Sequence, residues 1–232
     1  MKRLIIVILL SAATISAIGC DRSQGGDSRS ARSVEPEGES EATDKAASDE
    51  AQADNNDDGK AQLGQPAPDF ELRTAADESW RLSDHRGEIV VLEWTSMKCP
   101  FVTRHYADKT MHRTLQTLGG PDAVSWVTID SSASASPQKA REWKKEQAVS
   151  WPVLQDPSGR VGKAYGAKTA LHMVVIDQRG VVRYRGAIDD APRGEKKDPT
   201  NFVLGAVRAV QDGQPVEPAQ TRPYGCMINY AN

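Results

Sequence analysis

The 232-residue chain has little of several things. It holds three cysteines, four histidines and 6 % aromatic residues. Its net charge is −3, and no block of Lys and Arg stands out, so nothing marks a nucleic-acid surface. No internal repeat is visible. The apolar stretch 4–10 is too short for a bilayer span, which needs roughly 20 apolar residues. Residues 21–62 contain almost no aliphatic side chains and more acids than bases. Such a segment cannot bury enough apolar surface to offset the entropy of ordering it, so 20–62 is expected to be a disordered acidic tether.

What is present begins with processing signals. Met1-Lys2-Arg3 is a basic n-region, followed by the apolar 4–10 and then Ala17-Ile18-Gly19-Cys20. Small residues followed directly by cysteine resemble a bacterial lipoprotein signal. The resemblance implies that 1–19 is removed and that the Cys20 thiol carries lipid. The rest, 63–232, is then a single domain on the extracytoplasmic, periplasmic side of a bacterial cell envelope.

Within 63–232 strand-like and helix-like segments alternate. Phe70, Leu72, Trp80 and Leu82 alternate around the turn 75–78, as in a hairpin. The run 89–94 is nearly all apolar, as a strand covered on both faces should be. A helix is expected over 100–118, stopped by Gly119-Gly120, then a strand over 124–129 and a helix from Pro137 to Gln147. A short extended piece at 152–154, a short helix ending near Tyr165, strands at 172–176 and 181–184, and a helix over 202–210 complete the pattern. This order predicts an α/β domain, a mixed sheet between helices with an N-terminal hairpin at one side.

The chemistry centres on Cys99. It follows the strand 89–94 and directly precedes Pro100, a residue suited to open a helix. A thiol at a helix N-terminus meets unpaired N–H groups and the positive end of the helix dipole, both of which favour the nucleophilic thiolate. Glu93, on a buried strand, is either an acid tuning that thiol or a residue on a solvated edge. His105 reads as a partly exposed helix residue, six positions from Cys99 and turned away from it. His85 and His112 read as surface residues, and Trp94, Trp126, Trp143 and Trp151 as packing residues.

These residues carry a resemblance. Leu63-Gly64-Gln65-Pro66-Ala67-Pro68-Asp69-Phe70, then Trp94 and Cys99, then Tyr165-Gly166 leading into 172–177, are similar to the thioredoxin-like redoxins of the AhpC/TSA superfamily. Thr221-Arg222-Pro223-Tyr224-Gly225-Cys226 resembles the tail of a bacterial subgroup with Cys-Pro-Phe-Val at the active site. The resemblance implies a thioredoxin-like three-layer sandwich with a central mixed sheet. It also implies an antioxidant thiol oxidoreductase in which Cys99 attacks a peroxide or a protein disulfide, served by an external thiol reductant. No bound cofactor is implied.

The departures from the family pattern are specific. Val102 stands where a Cys-x-x-Cys motif has its second thiol, which excludes exchange through that motif. Ser96 keeps the hydroxyl that a peroxiredoxin has three residues before its cysteine, but 169–172 holds no arginine. Leu171 occupies the place of the usual cis-proline, so a trans peptide and a reshaped loop are expected. Cys226 can resolve an oxidised Cys99 if the tail folds back, with Ser96, Thr95 and backbone N–H groups orienting the reacting group. A static disulfide, two unpaired thiols, a copper or zinc site made of Cys99, Cys226 and His172, and a redox-inert binding domain are the alternatives.

Overall fold

The computed structural model describes residues 60–231. The leader, Cys20 and almost all of the tether lie outside them. Ala61, two residues before 63, already packs into the domain. Ala61 is buried, its N–H donates to Ala164 O at 2.8 Å, and its carbonyl accepts from Arg185 Nη1 at 2.9 Å.

The chain folds as β1 (Glu71–Thr74), β2 (Ser79–Arg81), a 3-10 turn (Leu82–His85), β3 (Val90–Trp94), α1 (Pro100–Ala107), α2 (Thr110–Thr117), β4 (Ser125–Asp130), α3 (Pro137–Glu146), β5 (Val153–Gln155), α4 (Arg160–Ala164), β6 (Met173–Ile176), β7 (Val182–Gly186) and α5 (Phe202–Gln211). The seven strands form one mixed sheet in the order β2-β1-β5-β4-β3-β6-β7. β3, β4 and β5 run parallel, while β6, β7 and the β1–β2 hairpin are antiparallel additions.

Alternation along each strand divides the core in two. Val91, Met173 and Val175 face a layer built from α1, α2, α3 and α5, which holds Tyr106, Met111, Trp143, Val203 and Val207. Val90, Leu92, Trp94, Val174 and Ile176 face the opposite layer, with Phe70, Trp80, Val161 and Tyr165. The result is the three-layer α/β sandwich with a terminal hairpin that the strand and helix pattern predicts.

The expected helix 100–118 is two helices. Lys109 takes the left-handed conformation, φ 55°, and breaks the hydrogen-bond ladder between α1 and α2. Met111 and Leu115 nevertheless return to the same core layer as Tyr106, so the apolar spacing reads through the break. The piece at 152–154 is a full sheet member, since β5 pairs with both β4 and β1.

The candidate active site around Cys99 and Cys226

β3 ends at Trp94, and Thr95 and Ser96 turn the chain so that Pro100 opens α1 with Cys99 as its N-cap. The Cys99 N–H donates to Ser96 O at 2.9 Å, and Cys99 O accepts the Thr103 N–H at 2.9 Å, which locks the thiol at the helix entrance. The site lies at the carboxyl end of β3, where open α/β sheets place their reactive groups. Cys99 is only 1 % exposed.

The cover is the C-terminal tail. Its start is fixed along β7, where Thr221 N–H donates to Arg185 O at 3.1 Å and Arg185 N–H donates to Ala219 O at 3.1 Å. The tail then crosses the loop before β6. Ala170 N–H donates to Cys226 O at 2.8 Å, Ile228 N–H donates to Lys168 O at 3.0 Å, and Thr169 and Met227 form an antiparallel bridge. Gly225, at φ 131°, lies so close to Ala170 O that a Cβ there would collide with it. At the centre of this contact the Cys226 N–H donates to Cys99 Sγ at 3.2 Å. Both cysteines are free thiols. Burial, and the facing Cys99 sulfur, push the Cys226 thiol up to about 11.

Leu171, next to the residue that pairs with Cys226, has an unusual conformation. Its φ is 60°, its N–H donates to Trp94 O at 2.7 Å, and its side chain is fully buried in the same core layer as Cys99. Leucine in the left-handed region carries a strain of about 1–2 kcal/mol. The peptide before it is trans, as expected, and its neighbour Ala170 donates to the tail at Cys226 O.

Glu93 lies on the Cys99 side of the sheet with no solvent exposure, so the solvated-edge alternative is wrong. It accepts from Tyr106 Oη at 2.9 and 3.0 Å, from Trp126 Nε1 at 2.9 Å and from Thr128 Oγ1 at 3.1 Å. Burial raises its carboxyl to about 7 against the pull of these donors. Trp126 therefore does more than pack.

His172 is not brought to the cysteines. It stacks edge-on against Trp94, which faces the opposite layer, and both of its ring nitrogens are buried without partners. Burial pushes it down to about 4. The residue beside it, Leu171, takes the Cys99 side instead. Among the described residues no three His, Cys, Asp or Glu side chains gather as a metal group, so the Cys99–Cys226–His172 alternative has no geometric support. Thr95 Oγ1 is buried without a partner, while Ser96 contributes its carbonyl to the Cys99 turn.

Three residues escaped the sequence reading. His105 is fully buried rather than partly exposed, because α1 turns it toward the tail. Its Nε2 lies 2.8 Å from Tyr224 Oη, and the Tyr224 hydroxyl donates to Asp189 Oδ1. The short Pro-Tyr-Gly-Cys stretch was visible as a motif, but nothing in the spacing linked Tyr224 to residues 105 and 189.

The model of the AhpC/TSA family matches residues 63–185, more than half of the chain. The chain belongs to the AhpC/TSA family. A candidate peroxiredoxin of Synechocystis sp. is 30 % identical over 162 residues, covering 64 % of this chain and 80 % of its own length. Peroxiredoxin-2 of Macaca fascicularis is 27 % identical over 178 residues, covering 71 % of this chain and 88 % of its own. Among solved structures, an uncharacterised conserved protein of Geobacillus kaustophilus is 28 % identical with a TM-score of 0.65, covering 73 % of this chain and 93 % of that one. Membership of the AhpC/TSA family makes the fold a thioredoxin-like one and the class that of thioredoxin- and peroxiredoxin-like thiol oxidoreductases. The family match ends at residue 185, so Tyr224 and Cys226 lie beyond it.

Proposed function

We propose that this AhpC/TSA protein is a two-cysteine thiol oxidoreductase, held to a membrane on its extracytoplasmic side by lipid on Cys20, in which Cys99 attacks and Cys226 resolves. The observation that carries the cysteine roles is the docking of Cys226 onto Cys99, with a backbone N–H on the sulfur at 3.2 Å. The membrane anchor rests on the leader pattern ending in Gly19-Cys20.

The chemistry balances in two steps. The Cys99 thiolate attacks one oxygen of a peroxide, the O–O bond breaks, Cys99 becomes a sulfenic acid, and the departing alkoxide or hydroxide takes a proton. Cys226 sulfur then attacks Cys99 sulfur, and water leaves as the disulfide forms. With a protein disulfide as the oxidant, Cys99 forms a mixed disulfide and releases one thiolate, and Cys226 releases the other. Either way two electrons pass from the pair to the substrate. An external dithiol, or two molecules of a monothiol, then reduces the Cys99–Cys226 bridge. Thr95 Oγ1, which has no protein partner, is available to donate to the reacting group.

The test is substitution of Cys99 by serine in the full-length protein. Loss of both peroxide and disulfide reduction supports the assignment of Cys99 as nucleophile. Retention of either activity removes it. Release of the protein from the membrane fraction by Cys20→Ala tests the anchor.

A further inference from the structure

Cys99 is 1 % exposed with the Cys226 segment docked on its sulfur, so movement of the tail is the direct route by which an oxidant reaches it. What holds the tail at that point is a cluster outside the reacting pair. Tyr224, two residues before Cys226, inserts between Phe101 and His105, with ring centroids 6.1 and 6.0 Å away. Its hydroxyl donates to Asp189 Oδ1 and lies 2.8 Å from His105 Nε2. His105 is itself fixed. Its Nδ1 lies 3.2 Å from Thr110 Oγ1 and 3.9 Å from Asp189 Oδ2. Arg104 Nη2 lies 2.7 Å from its Nε2 and donates to Ala191 O at 2.8 Å. Both His105 and Asp189 are at least 95 % buried. Asp189 Oδ1 also accepts the Ala191 N–H at 3.0 Å, so loss of the hydroxyl loosens the link between the tail and these two buried groups without leaving either bare.

On the far side of Cys226 the tail is held by backbone bonds at Ile228 and by Tyr230. The Tyr230 hydroxyl donates to Ala167 O, and its ring fills the space above Gly159 and Gly162. Cys226 is thus suspended between two anchors. The Tyr230 anchor is mainly packing, whereas the Tyr224 anchor adds a buried polar clasp in which one hydroxyl joins the tail to Asp189 and His105.

Resting on the cysteine roles proposed above, we propose that Tyr224 is a positioning residue whose hydroxyl, clasped by Asp189 and His105, latches Cys226 onto Cys99 and so sets both how often Cys99 opens to an oxidant and how fast the bridge closes afterwards. The two effects have opposite signs. A tight latch hides Cys99 and slows the first attack. The same latch keeps Cys226 at high effective concentration and speeds the second.

The experiment uses the reduced full-length protein and its Tyr224→Phe variant, which keeps the ring and removes only the hydroxyl. Peptide mass spectrometry follows maleimide alkylation of Cys99 and, separately, bridge formation after hydrogen peroxide. Amide exchange reports where the chain opens. Loss of one hydrogen bond to a buried carboxyl should raise Cys99 alkylation roughly tenfold and slow closure of the bridge, with faster exchange at 168–171 and 222–230 only. Unchanged alkylation overturns the latch. So does faster exchange through the whole domain in both Tyr224→Phe and Asp189→Asn, which makes the clasp a general support of the fold. If Tyr224→Phe alone fails to fold, Asp189→Asn decides by the same measurements. Failure of the wild type to form any Cys99–Cys226 bridge is a different result and strikes the cysteine roles, not the latch.

Discussion

The backbone N–H of Cys226 points at the sulfur of Cys99 from 3.2 Å, across 127 positions of sequence. The segment that carries the second thiol thus places a backbone donor on the first sulfur. Cys226, by contrast, is held protonated by burial and by the facing sulfur. On the roles proposed here, Cys99 attacks and Cys226 waits.

Removing the waiting thiol should separate the two steps. Cys226→Ser keeps the N–H and the docked backbone but cannot form the bridge. The first oxidation of Cys99 is expected at close to the wild-type rate, followed by a persistent sulfenic acid that dimedone traps. Turnover with a thiol reductant should fall by roughly tenfold or more. Trapping of sulfenate in the wild type but not in the variant would reverse the assigned order.

Gly225 tests whether the tail must dock for Cys99 to be hidden. Its φ of 131° and its approach to Ala170 O exclude a side chain. Gly225→Ala should destabilise the docked tail by about 1–3 kcal/mol and expose Cys99 to alkylation, with the melting of the domain little changed. A variant with Cys99 still protected would show that the tail is not the cover.

The buried carboxyl of Glu93 gives a pH signature with a definite sign. Its folded value, about 7, lies above the ordinary 4.5, so the folded state holds the extra proton between these limits. Its contribution to stability is full below pH 4.5 and is lost as pH rises toward 7, at about 1.4 kcal/mol per pH unit. His105 and His172, lowered by burial to about 4, act in the opposite direction, and stability falls as pH drops from 6.5 toward 4. Glu93→Gln removes only the first effect. Urea titrations should therefore show the variant gaining stability relative to wild type as pH rises from 4.5 to 7. A pH-independent difference would place the charged form of Glu93 elsewhere.

Much of this was legible in the chain. The apolar run 89–94 announced a two-sided strand, and the Cys99-Pro100 step placed a thiol at a helix entrance, because these are local properties of a few residues. The break at Lys109 was hidden, since Tyr106, Met111 and Leu115 keep facing one layer on both sides of it. His172 was misplaced by one position of strand alternation, which sends Leu171 to Cys99 and His172 to Trp94. The clasp of Tyr224 by His105 and Asp189 joins three distant segments through a tail that crosses the sheet end, and no periodicity encodes such a meeting. Helical angle alone said nothing about the Tyr224 and Asp189 side chains that His105 meets.

The most direct test is peptide mapping of the full-length protein under non-reducing conditions after treatment with one equivalent of hydrogen peroxide, and in parallel with an oxidised protein disulfide. A Cys99–Cys226 cross-linked peptide is expected that disappears on reduction and is absent from both single cysteine variants. Consumption of either oxidant with both thiols left free, or with Cys99 oxidised and never joined to Cys226, would contradict it.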